Sequence, residues 1–170
     1  AAALVGRLRE ELVVSLRREA GFTRADAESE MNHCISVFED AAASALGDSA
    51  RAGIGPFQSD RARPPSLGPS MTRRVVAALT PSNSPLAVPA ECIAAAFAAG
   101  APSILAPAAA TPLATCRLAG ILLDAGLPRG FLSVLHGAVA PLRALASDSR
   151  IDLLDRSSHA EVAAPSPRPG

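Results

Sequence analysis

The six residues Thr80-Pro81-Ser82-Asn83-Ser84-Pro85 follow an apolar run from Arg74 to Leu79 and place a carboxamide between two prolines. If the strand ends at a ligand, these are the residues that would touch it. Taken alone, an Asn between Ser and Pro most simply bonds its own backbone in a turn. A second run, Ser103 to Ala106, ends in Ala106-Pro107-Ala108-Ala109-Ala110-Thr111-Pro112, where no charged side chain occurs. His33, His136 and His159 have no nucleophile beside them in sequence and read as surface or turn residues. Cys34, Cys92 and Cys116 are odd in number and too widely spaced for a metal cluster, so they read as reduced core thiols and no metal site is expected. Glu10 with Glu11, and Asp148 with Asp152, read as solvated faces. Gly53-Ile54-Gly55 lacks the flanking strand and helix of a phosphate loop.

The elements that must position these groups follow from hydrophobic period. Leu4, Leu8, Leu12 and Leu16 recur every fourth residue, which predicts one amphipathic helix ended by Gly21. A second helix opens at Thr23, with Asp26 three positions on as its capping partner, and buries Ala27, Met31, Cys34, Ile35 and Phe38. From Asp48 to Ser70 the chain is rich in Gly, Pro, Ser and Arg with no period, and reads as a linker. Beyond it strand and helix alternate: strands at 74–79, 103–106, 131–135 and 151–154, helices at 85–99, 111–125 and 138–146. Apolar strands joined by helical crossovers predict an α/β fold, a parallel sheet with helices on both faces. Ligands of such sheets bind outside the carboxyl ends of the strands, here residues 80–84, 106–110, 136–137 and 155–158.

The 170 residues carry sixteen basic and sixteen acidic side chains, which gives no electrostatic reason to expect nucleic acid or an anionic membrane. All sixteen cations are arginine, so no Schiff base or lysine general base is available. Prolines and Glu91 interrupt the apolar stretch 75–119, and charges begin at Arg7, so neither a membrane span nor a signal peptide is expected and the chain reads as cytoplasmic.

In this order the segments resemble the aldehyde dehydrogenase superfamily. "VVAALTPSNSPLAVPAECIAAAFAAG" is similar to that family's strand, Thr-Pro-Trp-Asn-Phe-Pro turn and helix. "TPLATCRLAGILLDAGLPRGFLSVLHG" resembles the helix, Gly-Leu-Pro turn and strand that follow, and "IDLLDRSSHAEVA" the strand leading into Phe-Thr-Gly-Ser. The likeness runs from about residue 4 to residue 163. It implies a Rossmann-like domain for NAD or NADP at residues 71–164, preceded by the two-helix segment 1–47 and the linker 48–70, with 165–170 as a tail. It also implies an oxidoreductase acting on aldehydes, with Asn83 as oxyanion donor and Thr80, Pro81, Ser82, Ala106, Pro107 and Ser158 lining the cofactor.

Departures from the family pattern shape the expected activity. Its Lys-Pro-Ser-Glu after the second strand is Ala106-Pro107-Ala108-Ala109 here, and its Gly-Ser and following Gly fall at Ser158 and Ala163. Arg156, two residues before Ser158 in sequence, could compensate by charge. The family's nucleophilic Cys and its Glu lie beyond the segment matched, so the chain is expected to be a partial, degenerate cofactor-binding half, inactive alone. The alternative is a non-catalytic module that pairs with a full-length dehydrogenase subunit or forms an oligomer; a relative that acylates CoA is a third possibility.

Overall fold

The structure, a computed structural model, describes residues 1–47, 75–137 and 139–155. Helices α1 (Ala2–Arg7), α2 (Arg9–Glu19) and α3 (Arg24–Gly47) precede β1 (Val75–Leu79), α4 (Ala87–Ala98), β2 (Ser103–Ala106), α5 (Pro112–Asp124), β3 (Leu132–Val134), α6 (Val139–Ser147) and β4 (Ile151–Asp155). The expected strands and crossover helices are all present within a few residues. The first expected helix is instead two, bent at Leu8 (φ −97°, ψ 17°), whose N–H is shared between the carbonyls of Leu4 and Val5, each at 3.2 Å. The leucine stripe is continuous across the bend, which is why periodicity alone predicts one helix. Thr23 and Asp26 bond each other reciprocally as the capping pattern requires, with Thr23 Oγ1 donating to Asp26 Oδ2 at 2.6 Å and the Asp26 N–H to Thr23 Oγ1 at 3.2 Å.

The four strands are parallel in the order β3-β2-β1-β4. Alternation along β1 separates two faces. Ala78, with Leu105 and Leu132, packs under α4 and α5, and the same cluster takes in Val5, Leu12, Leu16, Met31 and Cys34 from α1 to α3. Ala77, Leu79 and Ala106 face α6 through Leu142 and Leu145. The helical segment is therefore a further layer over the α4–α5 side, sharing one core with the sheet. Strand order reverses between β1 and β4, so the crevice favoured for ligands lies outside the carboxyl ends of those two strands.

Two glycines close the crossover helices on that plan. Gly100 (φ 67°) and Gly126 (φ 94°) take the left-handed conformation, and the next N–H groups return to the helix, Ala101 to Ala96 at 2.9 Å and Leu127 to Leu122 at 3.0 Å. Each turn redirects the chain into the following strand.

Candidate functional site

The carboxyl ends of β1 and β2 lie side by side, with Leu79 opposite Ala106 and the Thr80 N–H donating to the Ala106 carbonyl at 3.1 Å. Thr80, Pro81, Ser82, Ala106 and Pro107 are thus brought together. Ser158, Arg156 and His159 lie outside the described residues, as do Gly53-Ile54-Gly55 and the linker. Thr80 is 1% exposed, and its Oγ1 has no hydrogen-bond partner among the described residues. Ser82 and Asn83 are exposed in the turn. Ala106 and Ala108 are buried and Pro107 with them, so the surface of the second turn is made by Ala109 and Ala110.

Two carboxylates that sequence reasoning did not single out organise this edge. Glu30, on α3, accepts through Oε1 from Ser84 Oγ (2.8 Å), the Leu86 N–H (3.0 Å) and the Ala87 N–H (2.9 Å), at the start of α4. Glu19, at the end of α2, accepts from the Leu113 N–H through Oε2 (2.7 Å) and from the Ala114 N–H through Oε1 (2.6 Å), at the start of α5. Helix N-termini leave N–H groups without intrahelical acceptors and carry partial positive charge, and both needs are met here by side chains from the helical layer. Glu19 leaves Thr111, the N-cap residue of α5, without its usual role, and Thr111 Oγ1 has no partner among the described residues. One signal was available in the sequence: α4 begins "PLAVPAE", with no Ser, Thr, Asp or Asn at the cap, so its acceptor had to come from elsewhere. The buried Thr115 hydroxyl adds a further tie, donating to the Pro85 carbonyl at 2.7 Å.

The other candidates fall into place around this edge. His33 pairs with Glu91 at 2.8 Å and is 55% exposed, a surface link between α3 and α4. His136 does meet a nucleophile: its Nε2 is 3.2 Å from Cys116 Sγ, a contact between the end of β3 and α5 that sequence order hides. Cys34 and Cys92 are core thiols, and burial, with Glu30 adding to it, pushes the Cys34 thiol up to about 12. Cys116 differs from the expectation, being only partly buried beside an open groove of about 410 Å³ lined by Glu11, Ser15, Leu113 and Arg117. Burial, then Glu19, raises its thiol above the ordinary value, which disfavours the thiolate. Glu10 and Glu11 pair with Arg24 and Arg117, each at 2.6 Å, and remain at the surface. Asp148 pairs with Arg150, while Asp152 Oδ2 accepts from the Val75 N–H at 3.0 Å and helps join β4 to β1. Among the described residues no three His, Cys, Asp or Glu side chains could together hold a metal ion. No described helix is long and apolar enough to cross a membrane.

Residues 1–162 match the model of the aldehyde dehydrogenase family. The chain belongs to that family. It is 34% identical over 139 residues to an alpha-ketoglutarate semialdehyde dehydrogenase of Haloferax volcanii, covering 81% of this chain and 28% of that protein. It is 34% identical over 132 residues to malonate-semialdehyde dehydrogenase 1 of Bacillus licheniformis, covering 76% of this chain and 26% of the relative. Among solved structures, an NAD-dependent benzaldehyde dehydrogenase from Corynebacterium glutamicum superposes with a TM-score of 0.73 at 26% identity, over 90% of this chain and 33% of the other. A methylmalonate-semialdehyde dehydrogenase from Oceanimonas doudoroffii gives 0.72 at 27% identity, over 90% and 30%. The chain therefore spans about a third or less of the length of these relatives.

Dehydrogenases of the family use NAD or NADP, and the described residues fit such a cofactor at one strand end only. At β1 the buried Thr80 hydroxyl has no partner among the described residues and Ser82 is open to solvent. At β2 the alanines and Pro107 offer no side-chain donor or acceptor to a ribose.

Proposed function

We propose that the chain is the cofactor-binding part of an NAD(P)-dependent aldehyde dehydrogenase, with Asn83 as the donor to the aldehyde oxygen. The observation that carries the reading is the placement of Asn83: exposed, at the carboxyl end of β1, with its side chain bonded to no other described residue and the turn on both sides of it anchored. A free carboxamide there can donate to an oxygen as negative charge grows, without first breaking a bond of its own. Thr80, Pro81 and Ser82 would hold the cofactor beside it, with Ala106 and Pro107 as a non-bonding wall and Ser158 at the next strand end. The nicotinamide, when bound, supplies the hydride acceptor. The names of three of the four relatives above point to semialdehydes as the substrate class.

The 170 residues alone are expected not to oxidise aldehydes. Cys34 and Cys92 are buried, and burial with Glu19 raises the Cys116 thiol above its ordinary value, so none of the three is disposed to act as a thiolate nucleophile. A non-catalytic role beside a dehydrogenase subunit is favoured by one observation, the exposure of Leu113 (63%) and Phe97 (53%), which a further protein surface could cover.

Titrating the chain with NAD and with NADP while following its melting temperature tests the first reading. At tenfold excess over Kd a one-site ligand adds about 1.4 kcal/mol, or roughly 3–5 °C for a chain of this size. No shift at millimolar cofactor overturns it. Retention on a column by a larger dehydrogenase subunit, without any cofactor shift, would favour the second.

A further inference from the structure

We infer that Glu30 is the positioning residue for Asn83, a role that rests on reading Asn83 as the oxyanion donor. Only Pro81, Ser82 and Asn83 lie between two anchors. On one side the Thr80 N–H is bonded to the Ala106 carbonyl at 3.1 Å. On the other, Ser84 Oγ and the Leu86 and Ala87 N–H groups all converge on one oxygen of Glu30, at 2.8, 3.0 and 2.9 Å. The first anchor belongs to the sheet ladder. The second has a single acceptor atom, contributed by α3 from 54 residues away along the chain.

Removing that oxygen leaves three donors without a partner, one of them on the residue next to Asn83, and frees one end of the turn. Thr115, bonded to the Pro85 carbonyl, keeps the start of α4 near α5 but touches no donor that Glu30 serves. Glu19 performs the same capping task on α5 and bonds no atom of residues 80–87. It is therefore a control: losing it disturbs a helix N-terminus, through two donors rather than three, without releasing the turn.

The sequence supplies a direct probe, since Asn32 and Asn83 are its only asparagines and a chain labelled with ¹⁵N-asparagine shows just two side-chain amide pairs. Asn32 accepts from Arg9 at 2.8 Å and serves as an internal reference, and Asn83→Asp assigns the other pair. In the cofactor-free chain, Glu30→Ala is expected to move or broaden the Asn83 pair and to speed amide exchange at Leu86 and Ala87 at least tenfold. Glu19→Ala should lower the melting temperature while leaving the Asn83 pair in place. Glu30→Gln, which keeps one carbonyl acceptor, should move it in the same direction but less. An Asn83 pair unchanged in Glu30→Ala, or moved alike by both alanine variants, overturns the assignment. If Glu30→Ala does not fold, Glu30→Gln against Glu19→Gln decides, and an unmoved Asn83 pair in the former overturns it. Because no cofactor is present, failure of nicotinamide to bind would sink the functional reading and leave this outcome legible.

Discussion

Thr80→Val is the sharpest test at the scale of a single residue. The hydroxyl is buried and has no partner among the described residues, and desolvating such a group without a bond is unfavourable by about 1–3 kcal/mol. Valine, of similar shape, removes that penalty. The cofactor-free variant should therefore melt higher than the parent, while its response to NAD or NADP should shrink if Thr80 contacts the ligand. A lower melting temperature would mean that the hydroxyl has a partner after all. The position of Asn83 at a strand end was legible from its neighbours in sequence, because Thr-Pro-x-Asn-x-Pro after an apolar strand is a local pattern. The Cys116–His136 contact was not, since its two residues lie on α5 and after β3 and meet only when those elements pack.

Elements were easier to read than contacts. Strand and helix limits follow from period and from punctuation by Gly and Pro, which are local properties, so β1, β2, α4 and α5 fall where expected. The bend at Leu8 was missed because a helix can turn without interrupting its apolar stripe. Between α6 and β4 the turn itself makes a prediction. The Arg150 side chain, then its N–H, holds the Asp148 carboxyl at about 2, below its ordinary 3.8. A depressed folded-state value adds stability that is complete above about pH 4 and is lost as the pH falls through about 2. Asp148→Asn should thus be less stable than the parent at pH 5, and the difference should close by pH 2. Urea unfolding at pH 5, 3 and 2 checks this, and a gap that stays constant with pH would count against the ion pair.

At the scale of the molecule the shared core makes a cooperative unit of what the sequence presents as two segments. Met31 is fully buried in the cluster that also holds Ala90, Ile93 and Leu118 of the crossover helices. Met31→Ala should cost about 2–5 kcal/mol, and the whole chain should lose helix signal and amide protection in one transition. A first transition confined to residues 1–47 would show that the helical layer stands apart from the sheet.

The sequence by itself determined the family, the order of strands and helices, and Asn83 at a strand end, because each is written in residues adjacent along the chain. The tertiary structure decided which carboxylates cap α4 and α5, that Ala106 and Pro107 are buried, and that the Thr80 hydroxyl has no partner among the described residues. The capping depends on α2 and α3 packing over α4 and α5, and the burial of Ala106 on α6 covering the opposite face of the sheet. Hydrogen-bond acceptors act over about 3 Å in space whatever their separation in sequence, so Glu19 and Glu30 acquire their roles only once the layers are packed.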